Sequence, residues 1–466
     1  MNNFRFTKII AGVSPILAKE TVLSKIINMV DAFRITLSKG FDDNNKKYID
    51  TLMKLDNSKT VILETKGIDV RIKNIWNISV KKGEKWTAEY SEYAQEGNNK
   101  IYIDYAELWE LSEGSILKCT QSNVSFKVLS TNEDTAEVEI VEVWKWEIIQ
   151  YDRVLFDGQS SNIEEITDRD KKDILWWLEY WAHVLWISCC NSAAHVESFK
   201  EFLDSNNAKE MKIFAKIEND TWLKRLDEIL EIADWIILVI DSLWLEGEKL
   251  VETIHHIKKE WKPVLVTTIQ TEYSQPIDKT LWKQIQELWK EAIDWVMLET
   301  FLVEEEVFDT IEKTWELLND CELKLNSREL KRFEKEWDFE VRDYIIYNAF
   351  RSAEELWVKT AICFTENWYT ASRFSSLAPK IPVITFTQSK ETYRYLSLVW
   401  GVKWYKISQS FNYENLKKIG KEMVRMIFKW NISLDDKIII LQADETISPD
   451  KNDMINGQEL YNFKNI

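Results

Sequence analysis

Eight short apolar runs, rich in β-branched residues and separated by stretches with helical spacing, constrain this chain more than any other feature. The runs lie at 5–11, 32–37, 60–64, 184–188, 212–217, 235–240, 264–268 and 295–298. Between them, segments such as 222–232 and 247–259 repeat apolar residues every three or four positions, with charges on the opposite face. Strand and helix alternating eight times predict a closed parallel (β/α)8 TIM barrel. One interval breaks the rhythm: about 120 residues separate the third run from the fourth, too many for a single crossover helix. There the pattern changes to short alternating strands, such as 100–104 and 136–143, which predicts an inserted small β-barrel domain.

Beyond residue 330 the alternation resumes, with apolar runs at 360–365, 382–387, 403–407 and 437–441. This predicts a C-terminal α/β domain. The expected organisation is a barrel domain formed by 1–70 and 158–330, an inserted all-β domain at 71–157, and the α/β domain at 331–466. The chain's 466 residues suffice for several domains with a large core. No apolar segment has the length of a membrane span, and the first fifteen residues lack the pattern of a signal peptide. The five cysteines have neither zinc-site nor redox-motif spacing, so a cytoplasmic protein with reduced thiols is expected. A formal charge of −18 argues against a nucleic-acid surface.

In a (β/α)8 barrel the site lies at the C-terminal ends of the strands. The second strand ends in Arg34, Thr36 and Ser38, two apart and therefore on one face. The third ends in Glu64, Thr65 and Lys66, with Asp69 and Arg71 beyond, and the fourth at Ser188. The fifth supplies Lys216 and Glu218, the sixth Asp241 and Ser242, and the seventh Thr267 and Thr268. Two cations and several hard oxygens at one mouth suit a phosphorylated anion held with a divalent metal. Mg²⁺ takes one or two carboxylates and fills its other positions with water and substrate oxygens; Glu218, with Asp241, could supply them. Arg34 and Lys216 could neutralise the phosphate and the charge that develops during transfer. No Walker-type phosphate loop and no dinucleotide glycine fingerprint occurs. His195, His255 and His256 read as ordinary helix positions, and Cys189 and Cys190 as buried thiols.

Several stretches are similar, in order, to motifs of the pyruvate kinase family. "TKIIAGVSP" at 7–15 resembles the family's "TKIVATIGP", "FRITLSKG" at 33–40 its "ARLNFSHG", and "LETKGIDVR" at 63–71 its "LDTKGPEIR". "KIFAKIEN" at 212–219 is nearly the family's "KIIAKIEN", "KPVLVTT" at 262–268 resembles "KPVITAT", and "FTENWYTA" at 364–371 resembles "FTESGRTA". The resemblance implies Mg²⁺-dependent (or Mn²⁺-dependent) phosphoryl transfer between phosphoenolpyruvate and ADP in glycolysis, by a homotetramer. It implies that Arg34 binds the substrate phosphate, Lys216 stabilises the transferring group and the enolate, and Thr268 contacts the pyruvate moiety. Glu218 would hold Mg²⁺, Thr36, Ser38, Glu64 and Thr65 would surround K⁺, and Arg71 would approach the nucleotide phosphates. The inserted domain would act as a lid.

The departures are local. The family's "ARGDLGVE" reads "VIDSLWLE" at 239–246, which sets Ser242 at the second metal carboxylate and Asp241 one position before it. Thr36 stands for an asparagine and Glu64 for an aspartate at the potassium site. A catalytically weakened relative with a binding or regulatory role is therefore the alternative reading. A different barrel enzyme acting on phosphoenolpyruvate or oxoacids comes third.

Composition adds one anomaly. Only 11 residues are glycine and 23 are tryptophan, whereas an ordinary chain of this length carries roughly 33 glycines. Trp222, Trp235, Trp244, Trp261, Trp357 and Trp368, with Trp181, stand where the family has glycine, while Trp400 stands where it has tryptophan. The expectation is that most of these codons are UGA, decoded as glycine. The competing reading is a genuinely tryptophan-rich protein with aromatic platforms for a sugar or base.

Overall fold

A computed structural model describes residues 5–465 apart from 38–42, 68–69, 157–165, 180–183, 240–242, 268–278, 299–303, 323–340, 409–412, 429–431, 443–456 and isolated positions elsewhere. Eight parallel strands close into a barrel in chain order: Lys8–Gly12, Ala32–Thr36, Thr60–Glu64, Val184–Ile187, Lys212–Ile217, Trp235–Val239, Val264–Thr267 and Trp295–Leu298. The first pairs with the last through Lys8↔Trp295, which closes the ring. Several strands are buried along their whole length, Thr60–Glu64 and Trp235–Val239 among them. That explains why they read as continuous apolar runs rather than alternating ones. The first strand begins three residues later than the apolar run predicts. The Phe6 and Thr7 amides donate instead to the Glu322 carboxylate, at 3.0 and 2.8 Å.

The crossover helices follow their amphipathic spacing. Ala193–Ser205 buries His195, Val196, Phe199 and Leu203, at i, i+3/i+4 intervals. Its start is set by Ser192, whose hydroxyl accepts from the His195 amide at 3.1 Å. Among the described residues, no helix is long and apolar enough to cross a membrane.

The C-terminal α/β domain carries a five-stranded sheet. Val402–Lys406, Val383–Thr387, Thr360–Phe364 and Lys437–Gln442 run parallel, and Gly457–Asn462 adds an antiparallel edge. That edge strand escapes sequence reading because its stretch, GQELYN, shows no apolar run. The domain shares one hydrophobic core with the N-terminal end of the barrel. Ile10, Ile62, Trp186, Trp235 and Trp295 pack in the same cluster as Phe374, Leu396, Leu398 and Val402. Hydrogen bonds cross the same boundary: Lys8 Nζ donates to the Val402 carbonyl at 2.8 Å, and Thr60 Oγ1 to the Arg394 carbonyl at 2.8 Å. With one mouth of the barrel covered, the C-terminal mouth is the one left for chemistry.

A second compact unit spans Lys66–Thr167. Its seven strands form a sheet whose outer members, Val70–Arg71 and Lys100–Ile103, approach through an isolated bridge between Ile72 and Ile103. The sheet thus curls nearly into a barrel around Phe126, Val128, Val138 and Ile140.

Candidate active site

Parallel register brings the strand ends level. Thr36 lies opposite Glu64 on the neighbouring strand, and Glu64 lies opposite Trp186 on the next. The Thr65 amide continues the ladder by donating to the Trp186 carbonyl at 2.9 Å. Ser188 then joins the two strands at their tips. Its amide donates to Thr65 Oγ1 at 3.1 Å and its hydroxyl to Glu64 Oε1 at 3.3 Å.

Glu64 is the electrostatic centre of this mouth. The Arg34 guanidinium pairs with one carboxylate oxygen, and the Lys216 ammonium lies 2.6 Å from the other. Burial on its own would raise the Glu64 carboxyl, but these two cations and their hydrogen bonds override it and hold it at about 2. Lys216 also lies 3.7 Å from Glu218 Oε1, which accepts from the Cys189 amide at 3.0 Å. Cys189 reaches that position through a left-handed backbone, φ 55°. Arg34, Glu64 and Glu218 are all buried. Two cations and two carboxylates therefore interlock, with their formal charges cancelling.

Six of the sequence-level candidates converge here: Arg34, Thr36, Glu64, Thr65, Lys216 and Glu218. Ser38, Asp241, Ser242 and Thr268 lie outside the described residues. Arg71 belongs to the other unit, where its amide donates to Asp104 Oδ1 at 2.6 Å. Lys66, read from sequence as part of the mouth, pairs within that unit with Asp104, as does Lys73, at 3.2 and 3.1 Å. Sequence reasoning did not find Asp104 or the Cys189 amide. A backbone donor has no side-chain signature, although its place just past a barrel strand is the signal available. The buried thiols and histidine nearby are poor reactants: burial pushes Cys190 up to about 12 and His195 down to about 4.

The donor set is compatible with a metal. Glu218 offers a buried carboxylate anchored by a backbone amide, the kind of hard, oriented oxygen that Mg²⁺ selects. Thr36, Glu64 and Thr65 add oxygens at the ends of adjacent strands.

Comparison with known proteins gives a consistent result over both parts of the chain. Residues 4–259 match the family model "Pyruvate kinase, barrel domain", and residues 343–456 match "Pyruvate kinase, alpha/beta domain". A protein named pyruvate kinase from Sporosarcina psychrophila is 26% identical over 423 residues, covering 85% of this chain and 71% of its own. Pyruvate kinases of Staphylococcus epidermidis (strain RP62A) and Staphylococcus aureus (strain MRSA252) are also 26% identical, over 423 and 424 residues, each with 71% of its own length covered.

Proposed function

The chain belongs to the pyruvate kinase family, and from that premise we propose that it transfers a phosphoryl group between phosphoenolpyruvate and ADP, yielding pyruvate and ATP. The observation that carries this reading is the Lys216 ammonium, held between Glu64 and Glu218 at the C-terminal mouth of the barrel. In the proposed reaction, the bond between phosphorus and the enol oxygen breaks as a new bond forms to a terminal oxygen of ADP. The enolate left behind is then protonated at its methylene carbon by a proton taken up from solvent. Lys216 stabilises charge on the enol oxygen and on the phosphoryl group in flight, and Arg34 orients the phosphate. Glu64 keeps both cations aimed and does not itself exchange a proton at neutral pH, because its carboxyl stays near 2.

The four described charges cancel, so a multiply anionic substrate needs further positive charge. Glu218 would hold a divalent cation, Mg²⁺ or Mn²⁺, with Asp241 or Ser242 as the second protein oxygen. When bound, that ion would supply positive charge to neutralise the phosphate groups. Thr36, Ser38, Glu64 and Thr65 are the proposed K⁺ oxygens, Thr268 the contact to the pyruvate moiety, and Arg71 a nucleotide contact. A cytoplasmic homotetramer in glycolysis completes the reading.

The test is pyruvate formation from phosphoenolpyruvate and ADP with Mg²⁺. Activity is expected, with kcat falling by roughly 10²–10³-fold in Lys216→Met. One feature favours a second reading, a weakened relative: Ser242 stands at the position of the second metal carboxylate, with Asp241 one position before it. A folded protein that binds phosphoenolpyruvate but forms no pyruvate would establish that reading instead.

A further inference from the structure

Two described helices end in the same hydrogen-bonded turn, and each places tryptophan at the position that turn reserves for glycine. After the helix Gly247–Lys259, the Trp261 amide donates to the Lys258 carbonyl at 2.9 Å, and the Lys262 amide reaches back to the Ile257 carbonyl at 3.3 Å. After Val341–Glu355, the Val358 amide reaches back to the Ala353 carbonyl at 3.0 Å. This six-to-one bond defines the Schellman motif, whose penultimate residue must adopt a left-handed backbone. Trp261 and Trp357 do so, with φ 56° and 57°.

The chain carries its own control. The helix Ala193–Ser205 ends in an identical turn, with the Ala208 amide bonded to the Leu203 carbonyl at 2.8 Å, and there the left-handed residue is Asn207, φ 58°. Asparagine is the accepted substitute for glycine in this motif; a bulky aromatic is not. A third case, Trp368, precedes the helix Tyr369–Ser376 at φ 60° and makes no capping bond with its side chain.

Side-chain surroundings do not account for these conformations, because the three differ. Trp357 is 90% exposed, so its indole buries little that could offset the backbone. Trp261 is 4% exposed under the Arg373 guanidinium, and Trp368 is partly buried beside Lys212. What they share is the left-handed backbone. The glycine shortfall, 11 residues beside 23 tryptophans, runs in the same direction.

From this geometry we infer that positions 261, 357 and 368 are glycine in the protein the cell makes, each codon being a UGA read as glycine. The inference concerns these three positions and does not depend on the proposed activity. Its test is peptide sequencing by mass spectrometry on the protein purified from cells that carry the gene, together with the three codons. The expected result is UGA at each codon and, at each position, a peptide lighter by the indole side chain, with the Asn207 peptide unchanged. A UGG codon, or an indole-bearing peptide at any of the three, overturns it.

Discussion

At the scale of single residues, two carboxylates have opposite fates for reasons visible in their partners. Glu64 is ionised because Arg34 and Lys216 outweigh the cost of burying it. Its folded pKa of about 2 lies below the ordinary 4.5, so its stabilisation is full above 4.5 and is lost as pH falls toward 2. Replacing it by glutamine strands two buried cations. Glu64→Gln is expected to cost about 3–5 kcal/mol in denaturant unfolding at neutral pH, and much less near pH 2. Glu322 behaves conversely. Burial raises it to about 7 despite the Phe6 and Thr7 amides that it accepts. Between 4.5 and 7 the folded chain binds the extra proton, so this group's contribution falls as pH rises through that window. Glu322→Gln should flatten that part of the stability–pH curve; an unchanged slope would count against the assignment. At Trp357, a left-handed backbone with an exposed ring costs on the order of 1–3 kcal/mol. In protein that carries tryptophan at 357, Trp357→Gly should raise the unfolding midpoint and Trp357→Ala should raise it less.

At the scale of elements, strand ends and helix caps decide where side chains point. Ser188 ties the third and fourth barrel strands together at the mouth through Thr65 and Glu64. The next helix starts where Ser192 caps it. Ser192→Ala is expected to destabilise by about 1 kcal/mol, measured by denaturant unfolding. The alternation of the barrel strands was legible because each is built on a short apolar run, with its charged residues few and mostly near the ends. The edge strand Gly457–Asn462 was not, because its order comes from pairing with Lys437–Gln442 rather than from an apolar face of its own.

At the scale of the molecule, the barrel and the α/β domain are joined by a continuous core and by buried polar bonds such as Thr60 to Arg394 and Ser397. They should therefore unfold together. Thr60→Val is expected to lower the midpoint of one shared transition by the same amount whether the probe sits in the barrel or in the terminal sheet. Separate midpoints would show that the core does not couple them. The unit Lys66–Thr167 has its own core around Phe126 and Val138, as an independently folding insertion requires.

Sequence alone determined the eightfold alternation, the interruption after the third strand and the set of polar residues at strand ends. Each of these is a local pattern of apolar spacing that survives without knowledge of neighbours. It also exposed the excess of tryptophan over glycine, since composition needs no coordinates. Only the tertiary structure decided which of the candidates meet. Register set Thr36 beside Glu64, and Lys216 between Glu64 and Glu218, while Arg71 and Lys66 went to Asp104 in the other unit. The left-handed backbone at Trp261, Trp357 and Trp368 is likewise a fact of three dimensions. At Trp261 and Trp357, hydrogen bonds that close a helix end fix φ, whatever residue occupies the position.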